Sequence, residues 1–148
     1  MKTLELIPSK LLPHKGPMLL IDEVLDTDFE KNITVKTTVK ENNFFFQGHF
    51  PDYPLLPGVV MIEMMFQACG ILNRVALMSK SNTSSNQNRI GKAVKINSAR
   101  FMKEVFPETS LIIKAQKIRS SLKFSEYKAI VVTENGDKVC EAELIVTM

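Results

Sequence analysis

The chain has no tryptophan, only two histidines and only two cysteines among its 148 residues. Each scarcity removes a class of function. Cys69 and Cys140 lie far apart, each in an apolar stretch. They make neither a disulfide framework nor a Cys/His metal site, and both read as reduced core residues, which suits a cytoplasmic protein. The net charge is only +3, and no aromatics interleave the cations, so a nucleic-acid groove is disfavoured. The N-terminal stretch MKTLELIPSKLLPHKGP has no long apolar core and no small-residue cleavage site, so it does not read as a secretory signal. The longest apolar run, residues 59–72, is interrupted by Glu63 and Gln67. It reads as a buried core helix and not as a membrane span.

What is present fits one globular domain over residues 1–148, with 45% apolar and 24% charged residues. A short helical turn is expected within 4–12, ending at Pro13, and a buried strand over 18–25. In ITVKTTVK (33–40), Ile33, Val35, Thr37 and Val39 alternate with Thr34, Lys36, Thr38 and Lys40. That period of two predicts a half-buried strand. DTDFEKN supplies the hairpin connection before it. Phe44–Phe46 suit a short strand. Pro57 marks a first helical turn, and the helix is expected to run to about Met78. A polar loop follows over 79–88, then strands over 93–102, 110–118, 124–133 and 139–147, with a turn at ENGDK (134–138). The order predicts an α+β fold, an antiparallel sheet wrapped around one helix. A helix apolar nearly all round needs cover on most sides. One sheet cannot supply it, so at least a dimer is expected.

The stretch GHFPDYPLLPGVVMIEMMFQACG (48–70) concentrates the chemistry. Pro51, Pro54 and Pro57 recur every three residues and stiffen the loop, so His49 is held at a defined place. Glu63 follows on the helix, with Gln67 four residues on and hence on the same face. A bare buried carboxylate costs several kcal/mol, and Gln67 can hydrogen-bond it and fix its rotamer. Gly58, at the helix start, presents an N–H that a ligand oxygen can approach closely. A base, an acid and a carbonyl-oxygen donor together suit proton abstraction beside a carbonyl, with loss of a leaving group at the next carbon. That chemistry needs no metal, no nucleophile and no organic cofactor. His14 also sits beside a proline. A lone histidine is more often structural than catalytic, so His14 is read as structural and His14→Ala is expected to retain most activity. Between Asn86 and Met102 the chain carries Arg89, Lys92, Lys95 and Arg100 with no acid. They form either a solvated strand face or a docking strip for an acidic partner.

GHFPDYPLLPGVVMIEMMFQ resembles the G-H-F-P-G-x-P-x-x-P-G-V…E…Q signature of the β-hydroxyacyl-acyl carrier protein dehydratases of bacterial fatty acid synthesis (the FabZ and FabA kind). The likeness extends to LLPHKGPMLLIDEV (11–24), KINSARFMKEVFP (95–107) and KVCEAELIV (138–146), covering nearly the whole chain. It implies the hotdog fold, dimers with a continuous sheet, and assembly in many members as a hexamer, a trimer of dimers. It implies His49 as the base at the acyl α-carbon and Glu63 of a neighbouring subunit as the acid protonating the β-hydroxyl. The Gly58 N–H would hold the thioester carbonyl and Gln67 would orient Glu63, with Phe50 and Val59 as further substrate contacts. The acidic carrier protein would meet Arg89, Lys92, Lys95 or Arg100. Glu in place of Asp at 63 resembles the members that do not also isomerise the double bond.

Some residues depart from the family pattern. Asp52 stands where Gly is usual, Gly16 where an aromatic is typical, and PET (107–109) where P-G-D is usual; Met64 and Phe66 are bulkier than common. These bear on chain length and pathway more than on chemistry. The rival readings are a dehydratase of an aryl-polyene or polyketide-like pathway, a hotdog thioesterase, and a non-catalytic acyl-carrier binding subunit.

Overall fold

Residues 6–80 and 90–147 are described by a computed structural model. The order is α1 (Pro8–Leu11), β1 (Glu23–Thr27), β2 (Asn32–Val39), a 3-10 turn (Phe44–Phe46), α2 (Gly58–Lys80), β3 (Ala93–Phe101), β4 (Thr109–Ser120), β5 (Phe124–Thr133) and β6 (Lys138–Thr147). All neighbouring strands are antiparallel, in the order β1-β2-β4-β5-β6-β3. The sheet curls around α2, which is the hotdog arrangement. By length and composition α2 could cross a membrane, but 67% of that window is buried inside the fold, where it serves as the core.

Alternation explains the sheet. Ile33, Val35, Thr37 and Val39 point inward from β2, as their period requires. Register then aligns one row across the sheet: Val35 opposite Ile113, Ile113 opposite Val131, and Val131 opposite Cys140, all buried. Both cysteines are free and fully buried. Desolvation pushes the Cys140 thiol up to about 11 and the Cys69 thiol higher still.

Two expected elements differ. Phe44–Phe46 form a 3-10 turn, not a strand, with Phe45 and Phe46 turned into the core. Three adjacent aromatics carry no period, and this backbone bonds locally, Phe46 N–H to Asn43 O and Gln47 N–H to Phe44 O. The strand expected over 18–25 begins only at Glu23. Leu20 and Ile21 are buried, but the Leu20 backbone bonds to the side chains of Gln67 and Thr37 and not to a neighbouring strand. The polar loop over 79–88 falls mostly outside the described residues, and Ser79 and Lys80 close α2.

β3 is the exception to alternation. It pairs only with β6, and all nine of its residues are exposed. Val94, Ile96 and Phe101 among them are about half exposed. One long edge of the sheet, and apolar side chains beside it, therefore face outward.

Candidate functional site

Most of α2 is buried, yet Glu63, Phe66, Gly70, Arg74 and Leu77 are only half-buried. Their spacing of three and four residues is one helix face. The sheet leaves this stripe uncovered. It floors a cavity of about 520 Å³, whose walls include Leu12, Pro13, His14, Gln67, Lys92 and Val146.

Gln67 is buried and its amide is fully used. Its Oε1 accepts the Leu20 N–H at 2.9 Å, while its Nε2 donates to Met18 O at 2.7 Å and to Glu63 Oε1 at 3.0 Å. The two backbone bonds fix which way the amide points. The pairing of Glu63 with Gln67, expected from the i, i+4 spacing, is present. A further residue joins them: His14 Nε2 lies 3.3 Å from Glu63 Oε1. Sequence reasoning missed this neighbour. Its only signal was that this histidine, the other of the chain's two, lies in LLPHKGPMLLIDEV, one of the stretches shared with the dehydratases.

His49 is held apart from this cavity. Gly48 takes φ +78°, a backbone that favours glycine, at the entry to the loop. Leu55 then grips His49 twice: its N–H donates to His49 O at 2.7 Å, and its carbonyl lies 2.8 Å from His49 Nδ1. A carbonyl only accepts, so Nδ1 carries a proton, and in the neutral ring the lone pair is on Nε2. The proline-stiffened loop is pinned further on. Tyr53 donates its hydroxyl to Glu104 Oε2 at 2.6 Å and meets Phe106 edge-on. That carboxylate raises the Tyr53 phenol above its ordinary range. Asp52 is exposed at the turn and has no positive φ, so it replaces glycine without backbone strain.

Gly58 begins α2, and its N–H has no carbonyl within the helix to serve it. Its lack of a side chain has a second cause. A Cβ there would lie 2.6 Å from Phe101 Cε1, so glycine makes room for the ring that ends β3. Val59 is 75% exposed, and Phe50, about half exposed, stacks on His49 with ring centroids 4.2 Å apart.

Within one chain, then, the structure joins Glu63, Gln67 and His14 on one cavity, which His49 does not line. Of the basic residues, Lys92 lines that cavity, Lys95 and Arg100 lie on β3, and Arg100 approaches Glu141 at 3.8 Å. Arg89 lies outside the described residues.

The family described as FabA-like domain matches residues 12–148. The 3-hydroxyacyl-[acyl-carrier-protein] dehydratase FabZ of Listeria welshimeri is 36% identical over 138 residues, 92% of this chain and 89% of that protein. The dehydratase heterocomplex ApeI:P from Xenorhabdus doucetiae superposes with a TM-score of 0.79 at 21% identity, over 96% of this chain and 90% of that one. A hypothetical thioesterase with coenzyme A from Streptococcus pneumoniae superposes with a TM-score of 0.61 at 15% identity, over 84% and 83%. At such identities the two structures share the fold.

Proposed function

The chain belongs to the FabA-like family, and from that membership we propose that it is a (3R)-3-hydroxyacyl-acyl-carrier-protein dehydratase of fatty acid biosynthesis. It eliminates water to leave a trans-2-enoyl thioester. The observation that carries this reading is the pair of half-sites. His49 has Nδ1 engaged by the Leu55 carbonyl, which leaves Nε2 for a substrate proton, and Glu63 is held by Gln67 at the wall of an open cavity.

In the proposed reaction, His49 Nε2 takes the proton at C2. The Gly58 N–H holds the thioester oxygen as negative charge develops there. Glu63 gives its proton to the hydroxyl at C3, the C3–O bond breaks, and water leaves as the C2–C3 double bond forms. His49 then releases a proton and Glu63 regains one, so the enzyme is restored.

Because His49 does not reach the Glu63 cavity of its own chain, the working site is assembled from two copies. The exposed edge of β3 and its apolar side chains support a dimer with a continuous sheet; three such dimers would make a hexamer. Phe50 and Val59 are placed to meet the acyl thioester. Lys92, Lys95 and Arg100, with Arg89, form the strip for the acidic carrier protein. Two buried free thiols suit a cytoplasmic enzyme.

The test is one assay of the purified chain on a panel of 3-hydroxyacyl thioesters of the carrier protein, with polyunsaturated and aryl chains included. Loss of water to give an enoyl product supports the reading, and the preferred acyl chain identifies the pathway. Release of free thiol without an enoyl product would make the protein a thioesterase. Carrier binding without turnover of any member would make it a binding subunit.

A further inference from the structure

We infer that His14 is a positioning residue for Glu63, and that with Gln67 it divides the work of the carboxyl group between its two oxygens. This rests on the dehydration proposed above. His14 Nε2 and Gln67 Nε2 both approach Oε1, at 3.3 and 3.0 Å. Among the described residues no hydrogen bond is made to Oε2. One oxygen is anchored, and the other is left for the proton that goes to the substrate.

The ring's protonation follows from its surroundings. His14 Nδ1 is buried and has no partner. A buried N–H without an acceptor is rarer and costlier than a bare lone pair. The proton of the neutral ring therefore sits on Nε2, the nitrogen beside Glu63 Oε1. At 3.3 Å the contact is long and not aligned as a hydrogen bond, as catalytic contacts often are before substrate binds. It shortens as charge grows on Glu63. When the proton on Oε2 passes to the departing hydroxyl, the carboxylate left behind meets two N–H groups on Oε1.

The local chain is built to deliver His14 to this place. Gly70 lies seven residues beyond Glu63, on the same helix face. A Cβ there would approach Leu12 Cδ2 to 3.2 Å. The missing side chain thus lets buried Leu12 settle on α2, and Pro13 turns the chain so that His14 follows at the level of Glu63. Beyond it, Met18 O and the Leu20 N–H hold Gln67. Residues 12–20 form a strap whose two ends position one carboxyl group.

The experiment compares the full-length protein with His14→Ala and His14→Gln, whose amide nitrogen can stand where Nε2 stood. Substrates are a 3-hydroxybutyryl thioester and its 3-fluoro analogue, whose leaving fluoride needs far less help from a proton donor. The contact with Glu63 replaces the expectation from sequence that His14→Ala retains most activity: kcat on the hydroxy substrate should fall by about 10- to 100-fold, with KM little changed. His14→Gln should recover most of that loss, and fluoride elimination should stay near the wild-type rate. Wild-type kcat in His14→Ala would overturn the inference. So would equal losses on both substrates with no recovery in His14→Gln, the pattern of a structural role. A wild-type protein that dehydrates nothing would instead overturn the dehydratase reading. The ring's tautomer, read by NMR from its nitrogen shifts, tests the inference without turnover: Nε2–H supports it and Nδ1–H overturns it.

Discussion

The Leu20 main-chain N–H donates to Gln67 Oε1 at 2.9 Å, joining residues 47 positions apart. Thr37 Oγ1 donates to Leu20 O at 2.6 Å, so Leu20 ties α2 to β2 through both of its backbone groups. The amide that steadies Glu63 is therefore part of the frame that closes the fold. Orienting Glu63 and packing the N-terminal strap are one structural event.

Gln67→Leu should accordingly damage stability and activity together. Leucine fills a similar volume but leaves the Leu20 N–H and Met18 O without partners. Orphaning one buried and one part-buried polar group costs about 1–3 kcal/mol. Urea unfolding should show that loss in the midpoint, and the surviving folded enzyme should show a lowered kcat. Stability within about 0.5 kcal/mol of wild type, the usual scatter of surface substitutions, would mean that the amide is dispensable.

His49→Ala and Glu63→Gln should each lower dehydration by about 100- to 10,000-fold, the range for losing a general acid or base, with unfolding midpoints near wild type. Mixing the two inactive proteins under conditions that exchange subunits should restore turnover. In a mixed dimer one site lacks both groups and the other keeps both. Random exchange makes half the dimers mixed, so about a quarter of wild-type sites return. No recovery after demonstrated exchange would place His49 and Glu63 of one chain in the same site.

How much of this was legible beforehand depended on how far apart the partners lie. Glu63 and Gln67 are four residues apart on one helix, so spacing alone paired them. Ile33 to Val39 alternate strictly, so spacing alone chose their face. His14 and Glu63 are distant in the sequence, and their contact depends on Gly70 admitting Leu12, which no local pattern encodes. The FFF run has no period to read. β3 reads as a strand, but exposure of both its faces follows from its place at an edge together with its slight contact with α2, and no local pattern encodes either. At PET, Glu108 adopts φ +63°, and its Oε1 accepts the Glu41 N–H at 2.9 Å. A side-chain bond thus accompanies a backbone that glycine would take more easily.

The edge itself is open to test. Ile96, about half exposed on β3, should tolerate glutamate in the isolated chain, because its side chain is not part of the core. If β3 of one copy pairs with β3 of another, two such charges would be brought close in a two-fold dimer and repel. Ile96→Glu should then run as a folded monomer in light scattering at concentrations where the wild type is dimeric, with dehydration lost because no site is complete. A variant that stays dimeric and active would move the interface elsewhere.

Gly58 and Phe101 give the last expectation. In Gly58→Ala the new methyl would begin 2.6 Å from Phe101 Cε1, inside any permitted contact, so something must move. The helix backbone is rigid, whereas the Phe101 ring is 52% exposed and can swing outward. The cost should therefore be at the low end for overpacking, about 1 kcal/mol. It should shrink further in Phe101→Ala, where nothing has to yield. The double-mutant cycle should show a favourable coupling of about 0.5–1 kcal/mol between the two substitutions. If Gly58→Ala also weakens turnover, comparison in the Phe101→Ala background separates two causes. Recovery there means that the displaced ring blocked the substrate. A persistent loss means that the added methyl itself kept the thioester oxygen away from the N–H at the start of α2.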